Sequence, residues 1–217
     1  MNAPKPHTVA AFDAQAADWD QDPVKQARAA AVAEGIRAAV PLHRTMAAME
    51  YGCGTGLLSF ALAGELGRIV LADVSTGMLA EVERKIAVAG ADHLSAQRLD
   101  LLADPLPEAR FDLIYSLMTF HHIPDVATVL ARCAALLKPG GALCVADLDA
   151  EDGSFHGADF DGHAGFERST LAAQARAAGF ETVDFATVFE MHKPASNGQQ
   201  RFPLFLMVAR RPAHEVE

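Results

Sequence analysis

An α/β fold on a mostly parallel sheet of seven strands, with helices on both faces and an antiparallel C-terminal hairpin, is what this sequence predicts. Three observations lead there. Short apolar runs of strand length alternate with longer segments of helical spacing, the pattern of repeated βαβ units. Within Met46–Leu57 an apolar run ends in Glu50, three glycines follow at alternate positions (Gly52, Gly54, Gly56), and a helical pattern begins at Leu57. That is a strand, a tight turn and a helix start. Near the C-terminus, Phe180–Met191 and Phe202–Arg210 read as two strands around a polar turn at Asn197-Gly198.

The bulk properties fit one such domain over residues 1–217. The length suits a single well-buried core, and 51% hydrophobic with 21% charged residues is an ordinary globular composition. A net charge of −10 without a Lys/Arg cluster argues against nucleic acid and against an anionic membrane surface as partners. Cys53, Cys133 and Cys144 are odd in number and far apart, so the default is a reducing cytoplasm without structural disulfides. No run has the length needed to span a bilayer, and the first residues lack the apolar core of a signal peptide.

Taken in order, residues 1–9 read as a disordered lead. Val24–Val40 is an alanine-rich helix that Pro41 stops, with Lys25 and Arg37 on its solvated side. Leu57–Leu66 is helical up to Gly67. Arg68–Asp73 has the composition of a buried parallel strand. A helix over Met78–Ala89 ends at Gly90, and His93–Leu99 is the third strand. Arg110–Leu117 is the fourth, with Asp112 structural at its start. Pro124 opens a helix to Leu137, and Lys138-Pro139-Gly140-Gly141 turns into a fifth strand, Ala142–Leu148. Asp147–Phe166 mixes glycine, acids, histidines and phenylalanines without periodicity, the character of a functional lid or a disordered loop. Ser169 N-caps a helix to Ala178, and Gly179 ends it.

Glycines in the turn after Glu50 reach positive φ at no steric cost and let backbone approach a ligand. A dinucleotide turn would place a small residue where Leu57 stands, and Glu50 would repel a pyrophosphate. A ligand carrying both a carboxylate and cationic groups fits better. Asp73 ends its strand about twenty residues beyond the glycines, where nucleotide folds put the acid that accepts from ribose hydroxyls; the rival reading is an N-cap for the helix starting near Gly77. Asp100 follows the third strand, and Asp104 is its neighbour in a loop before Pro105.

Glu50-x-Gly52-x-Gly54-x-Gly56 resembles the first motif of class I S-adenosylmethionine (SAM)-dependent methyltransferases. Asp73–Leu79, Phe111–Ile114 and Phe120–Asp125 also resemble the family's D-x-S-x-x-M-L, F-D-x-V/I and H-H-x-x-D patterns. The likeness runs from Phe12 to about Arg210 and is to the small-molecule branch that includes ubiquinone- and menaquinone-biosynthesis enzymes. It implies a Rossmann-like fold with SAM as cofactor and S-adenosylhomocysteine as product. It implies cofactor contacts at Trp19, at Glu50, Gly52, Cys53, Gly54 and Gly56, at Asp73, Val74 and Met78, and at Asp100, Leu101 and Ser116, with Leu117 and Met118 beside them. Phe12–Asp20 resembles the family's F-D-x-x-A-x-x-Y-D stretch with Trp19 in place of Tyr, which makes residues 10–45 a helical lid or cap; a surface helix anchoring Trp19 in the core is the other reading.

Methyl transfer from a sulfonium is an in-line displacement, so positioning carries most of the catalysis and a base is needed only if the acceptor must lose a proton. His121, His122, His156 and Asp147 are the candidates. The loop after Asp147 would wall the acceptor site through Phe155, His156 and Phe166. Two adjacent loop histidines rarely hold a metal without a third ligand, so no metal is assigned. A small-molecule acceptor is expected. The alternatives are a non-catalytic SAM-binding protein and a nucleotide-dependent oxidoreductase.

Overall fold

The computed structural model describes residues 7–157, 159–195 and 198–214. The strands are β1 (Ala47–Tyr51), β2 (Arg68–Asp73), β3 (Leu94–Arg98), β4 (Phe111–Leu117), β5 (Leu137–Leu148), β6 (Thr182–Ala195) and β7 (Gly198–Arg210). They form one sheet in the order β3-β2-β1-β4-β5-β7-β6. All pairs are parallel except β5–β7 and β6–β7, which makes the last two strands the expected antiparallel hairpin. Strands β1 and β2 are buried at nearly every position, as a parallel sheet covered on both faces requires.

The helices are α1 (Val9–Gln15), α2 (Pro23–Ala39), α3 (Leu57–Leu62), α4 (Thr76–Ala89), α5 (Val126–Leu136) and α6 (Arg168–Ala177). One face of the sheet is covered by α2, α3 and α4 through Val32, Ile36, Leu58, Leu62, Leu79 and Val82. The other is covered by α5 and α6 through Val129, Leu130, Cys133, Leu171 and Ala175. Side-chain caps start most of these helices. Asp22 accepts from the Val24 N–H ahead of Pro23, Ser75 from Met78, and Asp125 from Thr128. Gly90 closes α4 in the left-handed conformation.

Several boundaries differ from the sequence expectation. Helix α1 begins inside the expected lead, at Val9 with Thr8 as its cap, while residues 1–6 lie outside the described residues. Helix α3 stops at Leu62 rather than Leu66. Helix α5 starts after Pro124, because Asp125 is the cap. Lys138–Gly141 is not a free turn; it lies within β5, whose pairing with β4 shifts register there. Asp112 holds this irregularity by accepting from Lys138 Nζ at 2.8 and 2.9 Å and from the Ala47 N–H at 2.8 Å. The cap of α6 is Glu167, whose carboxylate accepts from the Thr170 N–H, and not Ser169. Ser196 and Asn197, in the expected hairpin turn, lie outside the described residues, but β6 and β7 pair out to Ala195 and Gly198.

Asp13 joins the N-terminal segment to the sheet: its Oδ1 accepts from Ser75 Oγ at 2.6 Å and from the Gly77 N–H at 2.7 Å, at the first turn of α4. Asp13→Ala should therefore lower stability by about 1–2 kcal/mol, a drop of several degrees in the thermal midpoint by calorimetry.

Candidate functional site: a cavity at the strand ends

Strand order reverses between β1 and β4, and ligands of open α/β sheets collect outside the strand ends at such a point. A cavity of about 310 Å³ lies there. Its floor is Glu50, Tyr51, Gly52, Cys53, Gly54 and Thr55 after β1, with Asp73 and Val74 after β2, and Asp100 and Leu102 after β3. Leu117, Met118, Thr119, His122 and Ile123 come from the loop after β4, and Met78 from α4. The N-terminal segment supplies the roof: His7, Val9, Phe12, Trp19, Lys25 and Arg28.

The glycine turn has the geometry its sequence implies. Gly52, Gly54 and Gly56 have φ of 69°, 53° and 82°. A Cβ on Gly52 would sit 2.2 Å from the Thr119 side chain, and one on Gly56 would sit 2.6 Å from Leu71. Asp73 links two backbone segments by accepting from the Gly54 N–H at 2.8 Å and the Ser75 N–H at 2.9 Å. It is not the cap of α4, a role that belongs to Ser75. Burial pushes the Asp73 carboxyl above its ordinary range, against these hydrogen bonds. Asp100 lies on the cavity wall and Asp104 does not; Asp104 instead accepts from the Asp100 N–H at 2.8 Å and pairs with Arg98.

Glu50 is 2% exposed. One of its oxygens accepts from the Ser59 N–H at 3.0 Å and the Ser59 hydroxyl at 2.5 Å, and that hydroxyl also meets Tyr115 OH at 2.7 Å. Burial outweighs these bonds and pushes the Glu50 carboxyl up to about 8. Cys53 is buried, and burial raises its thiol in the same way.

Some expected contacts are not on the wall. Ser116 is buried and donates to the Tyr51 carbonyl at 2.7 Å, so it fastens β4 to β1 instead of facing the cavity. Leu101 is fully buried, and its N–H donates to Tyr51 OH at 3.2 Å. Gly56 serves as the left-handed residue ahead of α3. Phe155 packs edge-on against Phe202 with centroids 5.1 Å apart, and Phe166 lies in the core with Phe205, so both anchor the long loop rather than wall the cavity. A parallel bridge between Asp149 and Phe166 closes the neck of that loop, and Arg168 adds a paired contact to Asp149 at 2.6 and 2.7 Å.

Two cations on the wall escaped the sequence reading. Lys25 is only partly solvated; its Nζ stands 3.4 Å above the Trp19 ring. Arg28 has an Nε sealed from solvent without a hydrogen-bond partner, and an NH1 that reaches only the Met191 sulfur at 3.4 Å. Burial lowers its pKa, against the attraction of Asp147. Both sit on an alanine-rich helix, where a cation reads by default as exposed.

The four candidate catalytic residues form one group beside the cavity. Asp147 is fully buried and accepts from His121 Nδ1 at 2.7 Å and from the backbone N–H groups of His121 and Leu148. His156 stacks on Phe160 at 4.1 Å and faces His121 at 4.9 Å, while His122 alone of the four reaches the cavity wall. Burial and the neighbouring His121 push His122 and His156 down to about 3, so both are neutral near pH 7.

The strand order and the glycine turn over a cavity at the switch point define the Rossmann-like fold of methyltransferases. The family described as "Methyltransferase domain" matches residues 48–141, and together with the relatives and solved structures below this match supports a class I SAM-dependent methyltransferase. It is 36% identical over 110 residues to an uncharacterized methyltransferase of Mycobacterium tuberculosis, covering 51% of this chain and 54% of that one. It is 30% identical over 110 residues to the ubiquinone biosynthesis O-methyltransferase of Marinobacter nauticus, covering 50% and 46%. The matched stretch thus spans about half the length of these curated relatives. Among solved structures, the Haloferax volcanii complex of the Trm112 methyltransferase activator with a methyltransferase aligns with TM-score 0.73 at 22% identity over 95% of this chain and 98% of that one. Phosphoethanolamine N-methyltransferase 2 of Haemonchus contortus with bound SAM aligns with TM-score 0.66 at 16% identity over 82% and 51%. Among the described residues, no helix is long and apolar enough to cross a membrane.

The raised Glu50 pKa predicts how stability varies with pH. Below the ordinary carboxyl range folded and unfolded chains both carry the proton; between there and about 8 only the folded chain keeps it, so stability falls as pH rises through that window. Thermal melts from about pH 5 to about pH 8 should show this decline, and Glu50→Gln should remove its share of the slope.

Proposed function

We propose that the chain transfers a methyl group from SAM to a small-molecule acceptor. The observation that carries this reading is the charge pattern of the cavity, with carboxylates Glu50, Asp73 and Asp100 along the strand ends and cations Lys25 and Arg28 on the roof. SAM is itself divided in this way, with two hydroxyls, an amine and two cationic centres at one set of positions and a carboxylate at another. Asp73 would accept from the ribose hydroxyls and Asp100 from the adenine amino group, with Met78 along the base. Arg28 is the group with an unmet need for a carboxylate. Glu50 would face the cofactor's ammonium and give up its proton as it does so.

The same cavity disfavours a dinucleotide. The N–H of Ser59 in the first turn of α3 is already taken by Glu50, so the position where a pyrophosphate would rest is occupied by an acid. Residues 10–45 act as the lid, since Phe12, Trp19, Lys25 and Arg28 close the cavity from above. The acceptor would enter from the side of His122, with the in-line geometry set by the walls. The half-length match to a quinone-pathway enzyme favours a phenolic or enolic acceptor. The low count of basic residues favours a small molecule over nucleic acid, and three separate buried thiols fit a reducing cytoplasm.

Calorimetry with SAM and S-adenosylhomocysteine tests the cofactor, and labelled methyl transfer to quinols, catechols, amines and carboxylates tests the reaction. Asp73→Asn should weaken cofactor binding by about 10–100-fold, the loss expected for charge-assisted bonds to two hydroxyls. NADH binding in the absence of SAM binding would overturn the reading. SAM binding without turnover on any acceptor class would favour the non-catalytic alternative.

A further inference from the structure

We propose that His121, His122 and His156 bind a divalent transition-metal cation, zinc foremost, with Asp147 holding His121 in place as the positioning residue. Adjacent histidines need a third ligand, and the loop closed by the Asp149–Phe166 bridge carries His156 back onto the pair. One ring nitrogen from each of the three histidines lies within 4.8 Å of the others. A tetrahedral zinc with bonds of about 2.0–2.1 Å sets such nitrogens ~3.4 Å apart, so rotations of about an ångström close the site.

Two of the nitrogens lack any partner. The Nε2 atoms of His121 and His156 are sealed from solvent without a hydrogen bond. His121 is 1% exposed, and an orphaned polar atom at such a place is costly unless something completes it. Its tautomer follows from its other side: Asp147 accepts at Nδ1 over 2.7 Å, which leaves the lone pair on Nε2 facing the cluster. A carboxylate behind a metal-facing imidazole is the arrangement that orients histidine ligands and raises their basicity.

The donor set selects the cation. Imidazole nitrogens suit zinc, copper and nickel, whereas calcium and magnesium require oxygen ligands that the cluster does not offer. The opposing charges are Lys193, which donates to the Phe155 carbonyl, and Arg28, which is drawn toward Asp147; both reduce the affinity without blocking the site. His7, with its ring 4.5 Å from His156 and 5.9 Å from His122, closes the outer side. Three protein ligands with an open fourth position mark reactive rather than closed structural zinc sites, and of the three histidines His122 lines the cavity.

The test uses the full chain freed of metal with EDTA and titrated with zinc against a competing chelator. One equivalent should bind and raise the thermal midpoint, and cobalt(II) in its place should give the intense visible bands of a tetrahedral site. His156→Gln and His122→Gln should each weaken binding at least tenfold, and Asp147→Asn about 10–100-fold, the usual cost of losing a partner behind a ligand. Absence of stoichiometric binding by natively folded protein, or binding that survives His156→Gln unchanged as it would at scattered surface histidines, overturns the proposal. SAM affinity measured on the same samples separates this outcome from failure of the methyl-transfer reading.

Discussion

The loops that leave β1 and β4 meet with no room for a side chain between them. Gly52 presents bare backbone to Thr119, whose hydroxyl donates to the Gly52 carbonyl at 3.1 Å, and one step back Ser116 donates to the Tyr51 carbonyl at 2.7 Å. These contacts hold the two strands together at the switch point, while α3 and α5 depart to opposite faces of the sheet. The cavity is the crevice left above that junction. Its floor is backbone brought to positive φ, which is why the chain spends three glycines there, and its shape depends on a close approach that any larger residue at position 52 would prevent.

Charge then decides what the crevice can hold. A buried carboxylate is tolerated only when hydrogen-bonded, neutralised or paired. The first two of these outcomes are present: Asp73 is tied to two N–H groups and Glu50 keeps its proton, while the half-buried Asp100 accepts from the Leu102 N–H at 2.8 Å. Arg28 is the exception on the opposite wall, a cation whose best acceptor is a thioether. A bound molecule with its own cation near Glu50 and its own anion near Arg28 would relieve both, and a polyanion would relieve only one.

What could be read from the sequence follows from which features are local. The strands were legible because burial on both faces demands uninterrupted apolar runs, and Arg68–Asp73 is found at the boundaries its composition implies. Gly52–Gly56 and Asp73 were legible because a left-handed turn and a carboxylate at a strand end each need a particular residue type. Ser116 stands off the cavity wall, and strand alternation tells that a residue lies at the end of β4 but not that its hydroxyl turns to the neighbouring backbone. Arg28 and Lys25 were hidden by the rotation of α2 about its axis, which tertiary packing sets. His156 was placed correctly in a loop, but the bridge that folds this loop onto His121 joins residues remote in sequence and has no local pattern.

The roof is held differently from the floor. Asp13 grips the start of α4, and Asp20 accepts from Thr55 Oγ1 at 2.5 Å and from Lys85 Nζ at 2.6 Å. These are half-exposed contacts, each worth about 1 kcal/mol and weakened by salt, whereas the floor is bonded through buried backbone. The segment from α1 to Trp19 is thus held by fewer and more exposed polar contacts than the strands beneath it. The position of its main anchor matters further. Asp13 bonds to Ser75 and Gly77, and Asp73 bonds to the same Ser75 through its backbone. Asp13 and Asp73 therefore hold the same turn from two sides, the one from the roof and the other from the floor.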